Sequence, residues 1–282
     1  MTTGPTTRRR QLGATMRKLR ERKGMTLEEA GKLVGVSKAT VSRYETKEGP
    51  VKWPIVDALC REYDATETER QAVVTWAKSA REQGWWGSLP GALPETLNLL
   101  LTLEDEAVRE DHFSTVYVPG LLQTRGYAEA VLHASEMRQS AEDVERQVTI
   151  RLKRQEIFHR PHPPHIWAVL DESVVRRVVG GPSVMRGQLD HLLSSAETPN
   201  VTLQILPFAT GAHASAMGSF VVLGGAEPSL DVVYLDIHTG AVFMEKEEEL
   251  DIYRRAFDYL RAQALGPAES VEMIRRAREE MQ

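Results

Sequence analysis

Between Gly24 and Glu45 the chain has room for two short helices and one tight turn, and little else. Thr26 with Glu29 three residues on forms a capping box, in which the threonine oxygen and the glutamate carboxylate satisfy the first free amides of a helix. Leu27, Ala30 and Val34 fall on one face of that helix. Gly35 breaks it, Val36 can plug a core, and Ser37 is a good N-cap for a further helix whose Val41 and Tyr44 face inward. Upstream, residues 11–23 carry Leu12, Met16 and Leu19 at i, i+4, i+7, and Gly24 suits the position just past a helix end. Two short helices around a glycine-containing turn hold the second of them outward, in the geometry that enters a DNA major groove.

If the third helix is so used, its first residues reach base edges. Lys38 and Thr40 can donate to bases or phosphates, and Ala39 can touch a thymine methyl. Ser37, Ser42 and Arg43 complete that helix's share of the candidate interface, the last two lying where backbone contact is expected. Thr26 and Arg17 join the candidate set, and Arg17, Lys18, Arg20, Arg22 and Lys23 are expected to flank the groove as phosphate contacts. Arg43 and Glu45 are expected to form a structural pair. Charge supports an anionic partner: residues 1–63 hold 14 Lys and Arg against 7 Asp and Glu, whereas the remainder holds 21 against 33. Phosphate backbone is the commonest large anion such a basic head meets.

The segment 26–45 resembles the Cro/C1-type, xenobiotic-response-element-like helix-turn-helix family, following its T-x-E-E-x-A-x-x-L-G-V-S-x-x-T-[IV]-S-R-x-E pattern. Two departures matter. Leu27 stands where the family often has a glutamine for a phosphate or base contact. Gly31 stands in place of the usual small alanine, preserving close helix approach while giving up about 1 kcal/mol of helix propensity. Beyond Pro50, Pro54 suits a first helical position with Ile55, Val56 and Leu59 behind it. Thr66 and Glu69 make a second capping box for a helix with Val73, Val74 and Trp76. The expectation is a five-helix DNA-binding domain over residues 1–80.

Residues 81–94, with three glycines and two prolines, read as a connection. Trp85 and Trp86 within it are expected to pin the connection to the body, with ligand or partner stacking as the sharper alternative. The body, residues 95–282, is expected to begin with a helix carrying Leu97, Leu100, Leu101 and Val108. A strand over 113–118, helices over 124–134 and 140–158, a strand over 166–170 and two more helices follow. Short β-rich segments come next at 201–206, 219–223, 232–235 and 241–244, the last two flanking a hairpin turn at His238-Thr-Gly240. A helix over 247–264 closes the unit. The fold class is thus mainly α, then α+β with a mostly antiparallel sheet. Leu250, Tyr253, Phe257 and Leu260 form a candidate dimer seam, although burial within their own domain is the preferred reading.

Several separated body motifs carry a second resemblance: Val118-Pro-Gly-Leu-Leu-Gln-Thr-Arg-Gly-Tyr-Ala128, Asp171-Glu-Ser, Gly180-Gly181, Asn200 to Phe208, Gly211-Ala-His213 and Gly218-Ser-Phe220. In this order they are similar to the C-terminal domain of actinobacterial Scr-type antitoxin-like regulators. That resemblance implies a transcriptional regulator, often encoded beside a small protein that binds this domain, and it implies no chemistry. Pro119, Leu121 and Leu122 in the first motif, with the two tryptophans, are the candidate ligand or partner contacts. Residue by residue, these motif positions also suit turns and core.

Other function classes find little footing. Three prolines in His159-Arg-Pro-His-Pro-Pro-His165 disrupt the helical face a zinc motif uses, and a single cysteine, Cys60, leaves no disulfide framework. Neither a Gly-x-Ser-x-Gly elbow nor a phosphate-binding glycine loop occurs. No apolar run approaches the roughly 18 residues that cross a bilayer, and no apolar stretch follows the basic residues of 1–10. The expectation is a non-enzymatic, cofactor-free, cytoplasmic and nucleoid-associated regulator that dimerises on a palindromic double-stranded operator. The rival expectation is an antitoxin-like module that sequesters a small protein encoded by an adjacent gene, with DNA binding for autoregulation.

Overall fold

A computed structural model of the protein describes residues 7–46, 51–79, 93–135, 140–215, 217–225 and 231–281. Trp85 and Trp86 lie outside the described residues. The chain forms two compact units, residues 1–106 and 107–282.

The first unit contains α1 (Thr7–Arg22), α2 (Leu27–Leu33), α3 (Lys38–Glu45), α4 (Trp53–Glu62), α5 (Glu67–Ser79) and α6 (Glu95–Glu106). Three of its helices end in the same way. The residue past the cap turns left-handed (Gly24 at φ +70°, Gly35 at +69°, Asp64 at +52°), and the next amide reaches back to the helix. Met25 N–H donates to Arg20 O, Val36 to Gly31 O and Ala65 to Cys60 O. This reach-back bonding satisfies carbonyls that a helix end leaves free. The core gathers Leu12, Met16, Leu19, Ala30, Val41, Tyr44, Val56, Leu59, Tyr63 and Val73. Burial there pushes the Cys60 thiol up to about 12, so it stays protonated and acts as a small apolar filler. Helix α6 groups with this unit, whereas the sequence reading assigned it to the body. It ends at Glu106, which leaves Val108 exposed instead of on a buried helical face.

The second unit is built on one six-stranded sheet of β1 (Arg109–Ser114), β2 (His165–Asp171), β3 (Val201–Leu206), β4 (Phe220–Gly224), β5 (Val232–Ile237) and β6 (Gly240–Met244). Its order is β3-β2-β1-β4-β5-β6. The pairs β1/β4, β4/β5 and β5/β6 are antiparallel, while β1/β2 and β2/β3 are parallel. Connection length explains the mixture. Helices α7 (Arg125–Ser135) and α8 (Ala141–Arg154) lie between β1 and β2, and α9 (Glu172–Arg176) and α10 (Pro182–Ser195) between β2 and β3. Such crossovers permit parallel pairing, whereas the tight turn after Ile237 permits only a hairpin.

Alternation along the strands feeds two cores. Ile166, Ala168 and Leu170 of β2, with Leu203 and Ile205 of β3, meet Leu121, Leu122, Tyr127, Met185, Leu189 and Leu192 on one face. Phe113, Val169, Phe220, Val222 and Val233 meet Leu250, Phe257 and Leu260 of α11 (Glu247–Gln263) on the other. The seam offered as a dimer face is therefore spent inside its own domain. Nor does the unit close with α11, as the periodicity suggested. A further helix, α12 (Pro267–Glu279), follows and buries Ser270, Ile274 and Ala277 at i, i+4, i+7. Strand β1 runs from Arg109 to Ser114, several residues earlier than expected. The segment 115–119 instead leaves the sheet toward a single 3-10 turn, Gly120–Leu122.

Candidate nucleic-acid interface

The geometry of α2 and α3 follows from one close approach. A Cβ placed on Gly31 would lie 2.6 Å from Val36 O and 3.3 Å from the Ser37 carbonyl carbon, so the turn packs directly onto the α2 backbone. Thr26 caps α2: its Oγ1 accepts from Glu29 N–H at 3.2 Å, and Thr26 N–H donates to Glu29 Oε2 at 2.8 Å. Ser37 caps α3, its Oγ accepting from Thr40 N–H at 3.2 Å. Helix α3 is then held from behind by buried Val41 and Tyr44 and by the buried ion pair of Arg20 with Glu45. The guanidinium binds both carboxylate oxygens, Nε to Oε1 at 2.7 Å and Nη2 to Oε2 at 2.8 Å, while Nη1 donates to Met25 O. At the same crossing, a Cβ on Gly13 of α1 would lie 2.6 Å from Glu45 O. Helix α3 is thus fixed to α1 at its C-terminal end and to α2 at its N-terminal end.

What remains outward is the start and one flank of α3. Ser37, Lys38, Ala39 and Arg43 are exposed, and Thr40 and Ser42 are half-buried. Ser37 and Thr40 are partly occupied by each other, their hydroxyls 3.0 Å apart. Arg43 Nη2 reaches Thr40 Oγ1 at 3.4 Å, and no bond to Glu45 is formed, so the expected Arg43–Glu45 pair is replaced by Arg20–Glu45.

The flanking cations divide into two kinds. Arg17 is paired with Glu21 at 2.8 Å, Arg22 with Glu69 at 2.8 Å, and Lys23 with Asp64. Arg20 is buried and structural, which removes it from the phosphate-contact set. Among the described residues, Lys18, Lys38 and Lys52 are exposed and carry no carboxylate partner. Lys52, which precedes α4, was missed by the sequence reading. Its signal lay in its place, one residue ahead of the helix that follows α3. The Arg20–Glu45 pair also had a signal, since Arg20 follows Met16 by four and Glu45 follows Val41 by four. Both therefore fall on the buried stripes of their helices.

In the second unit the sequence motifs converge on the carboxyl ends of the parallel strands. Asp171 caps α9 through Ser173 N–H at 2.9 Å, and Ser173 Oγ donates to Thr115 O at 2.6 Å. Glu172 Oε2 accepts from Phe208 N–H, Thr115 N–H donates to Ser219 Oγ, and the His213 ring meets Phe113 edge-on at 5.4 Å. Residues 97–276 match the family described as a domain of unknown function, DUF5753. The chain belongs to the DUF5753 family. Residues 11–73 match a helix-turn-helix domain. No curated protein and no solved structure matches the chain. In this DUF5753 chain these motif residues stitch loops together. Pro119, Leu121 and Leu122 are buried in its core, with Gln188 Nε2 donating to Leu122 O at 2.7 Å. In this arrangement these three candidate ligand or partner contacts face the core. Among the described residues no group of three or more His, Cys, Asp and Glu is placed to hold a metal ion, and no helix is long and apolar enough to cross a membrane.

Proposed function

We propose that this helix-turn-helix DUF5753 chain is a sequence-specific transcriptional regulator that reads a major groove with α3. The observation carrying the proposal is the presentation of α3. Its rear is locked by Val41, Tyr44 and the Arg20–Glu45 pair, while Lys38 stands exposed beside Ala39 at the helix start. A rigid helix with an unengaged cation at its N-terminal turn fits base-edge readout, for which lysine to guanine is a common pairing. Lys18 and Lys52 supply backbone attraction that positions without specifying. The proposed setting is the nucleoid, with two chains on a palindromic operator whose half-sites lie about one helical turn apart. The proposal assigns the body no catalytic step. In the finer reading, the likeness to Cro/C1-type and Scr-type regulators makes the body the part that answers a small partner protein.

The test is selection of bound duplexes from a random DNA library, run with wild type and Lys38→Glu in parallel at about 150 mM salt, where nonspecific attraction is partly screened. A palindromic motif recovered by wild type and lost in the variant is expected. Equal enrichment by both proteins would overturn the assignment of Lys38. A wild type that selects no motif, alone or with the adjacent-gene product, would overturn the regulator reading.

A further inference from the structure

The sheet of the second unit has two outer edges, and they end differently. At β3 the edge is closed: Ile205 N–H donates to Ser270 Oγ at 2.9 Å, and Ile205 O accepts from Leu265 N–H at 2.9 Å. At β6 it is open. The hairpin pairs Ile237 with Gly240 across a two-residue turn, so Gly240, Val242 and Met244 bond β5 through their amides and carbonyls. Ala241 and Phe243 therefore turn theirs outward, and among the described residues neither is bonded beyond the hairpin. Sheet edges are ordinarily blunted by charge, proline, a bulge or a covering segment. Gly240-Ala-Val-Phe-Met244 carries no charge and no proline, its register with β5 is unbroken, and each of its residues is half-buried. Outward backbone groups in ladder spacing match another extended strand.

We propose that this strand belongs to a second copy of the chain: two β6 edges pair antiparallel about a two-fold axis through Val242, which joins the two sheets into one. The strand complements its own reverse. With Val242 opposite Val242 of the second copy, Ala241 stands opposite Phe243 and Phe243 opposite Ala241, so every outward amide and carbonyl of both residues is paired. Side-chain sizes agree with the same register. Phe243 meets Ala241 on one face, Met244 meets Gly240 on the other, and Val242 meets its own copy at the closer spacing of about 4.5 Å between Cα atoms. A slide of two residues sets one outward residue opposite position 239 or 245, beyond the strand. A slide of one turns the side chains to the wrong face. Large against small, and every bond made under one two-fold operation, is the self-complementarity of a closed interface, which commits the occupant to a second copy. This pairing rests on the two-chain reading above and gives it a contact surface. It is tested without DNA, so its failure is distinguishable from a failure of α3 to read a groove.

Cysteines placed one at a time along β6 of the full chain read this register. Val242→Cys is expected to cross-link into a dimer under mild oxidation and to revert on reduction, since a disulfide spans Cα atoms about 4.4–6.8 Å apart. Ala241→Cys and Phe243→Cys, whose copies lie diagonally at roughly 7–8 Å, should cross-link about tenfold more slowly or not at all. The native Cys60 is buried and does not compete. Sedimentation equilibrium of wild type over about 1–100 µM should show monomer and dimer together. Ala241→Pro removes an outward N–H and no hairpin bond, and should weaken the dimer about tenfold with an unchanged circular dichroism spectrum. A wild type that stays monomeric over that range would overturn the proposal. So would cross-linking at 241 or 243 as fast as at 242, or an Ala241→Pro chain that dimerises as well as wild type.

Discussion

Gly31 sits where two residue-scale effects oppose each other. Alanine gains about 1 kcal/mol of helix propensity over glycine in a helix interior. Its Cβ, however, would stand 2.6 Å from the Val36 carbonyl oxygen, a backbone atom in a turn already closed by Val36 N–H on Gly31 O at 2.8 Å. Backbone yields less readily than a side-chain end, so crowding wins. Gly31→Ala is expected to destabilise the first unit by about 1–3 kcal/mol in urea denaturation. A stabilised variant would show that the turn relaxes freely. The Arg20–Glu45 pair makes a second case. Both side chains are almost fully buried, and removing one strands the other's charge. Glu45→Ala is therefore expected to cost about 3–5 kcal/mol, while replacing both residues with apolar ones of similar volume should cost far less. Equal costs for the single and double replacements in the same titration would contradict that account.

Among the elements, α5 and α1 share a core and are also linked by one carboxylate. Glu69 accepts from Thr66 N–H in a capping box and binds Arg22, and chiefly through the arginine its carboxyl is held down at about 2 against an ordinary 4.5. A depressed carboxyl stabilises the fold above its unfolded value and loses that contribution as pH falls. The loss should therefore run from about pH 4.5 down toward pH 2, and Glu69→Gln, which keeps the cap geometry, should flatten that part of the stability profile. Added salt should shrink the effect because Glu69 remains partly exposed. A Glu69 carboxyl titrating at an ordinary value by NMR would remove its basis. This element was legible from Thr66 and Glu69 because a cap is a local signal, as were Thr26, Ser37 and the hairpin turn at His238. What escaped the sequence reading was non-local. Nothing near Arg109 in sequence indicates that its strand pairs with both β2 and β4, or that its guanidinium meets Asp231 at 2.7 Å. For the same reason, the outward positions of α3 could be read from spacing, whereas Arg20 leaving the phosphate set could not be read from its charge.

Across the whole chain, formal charge and available charge differ. The basic head suggests many phosphate contacts, yet Arg17, Arg22 and Lys23 already hold Glu21, Glu69 and Asp64, and reaching a phosphate means giving up those partners. Among the described residues, Lys18 and Lys52 have none to give up. Each phosphate neutralised by a cation releases condensed counterions and contributes about −0.9 to the slope of log K against log salt. Lys18→Ala and Lys52→Ala should each lower the magnitude of that slope by about 1 and weaken binding to all sequences alike. Arg22→Ala should change it less, because removing the arginine also frees an acidic Glu69 that was masked. Lys38→Ala should instead narrow the gap between operator and random duplex, by about 1–3 kcal/mol if it reads a base. Fluorescence anisotropy on both duplexes over about 50–300 mM salt separates the three behaviours. If Arg22→Ala shifts the slope more than Lys18→Ala and Lys52→Ala do, the ion pairs seen in the free protein open on DNA, and the backbone contacts would have to be assigned to the paired arginines.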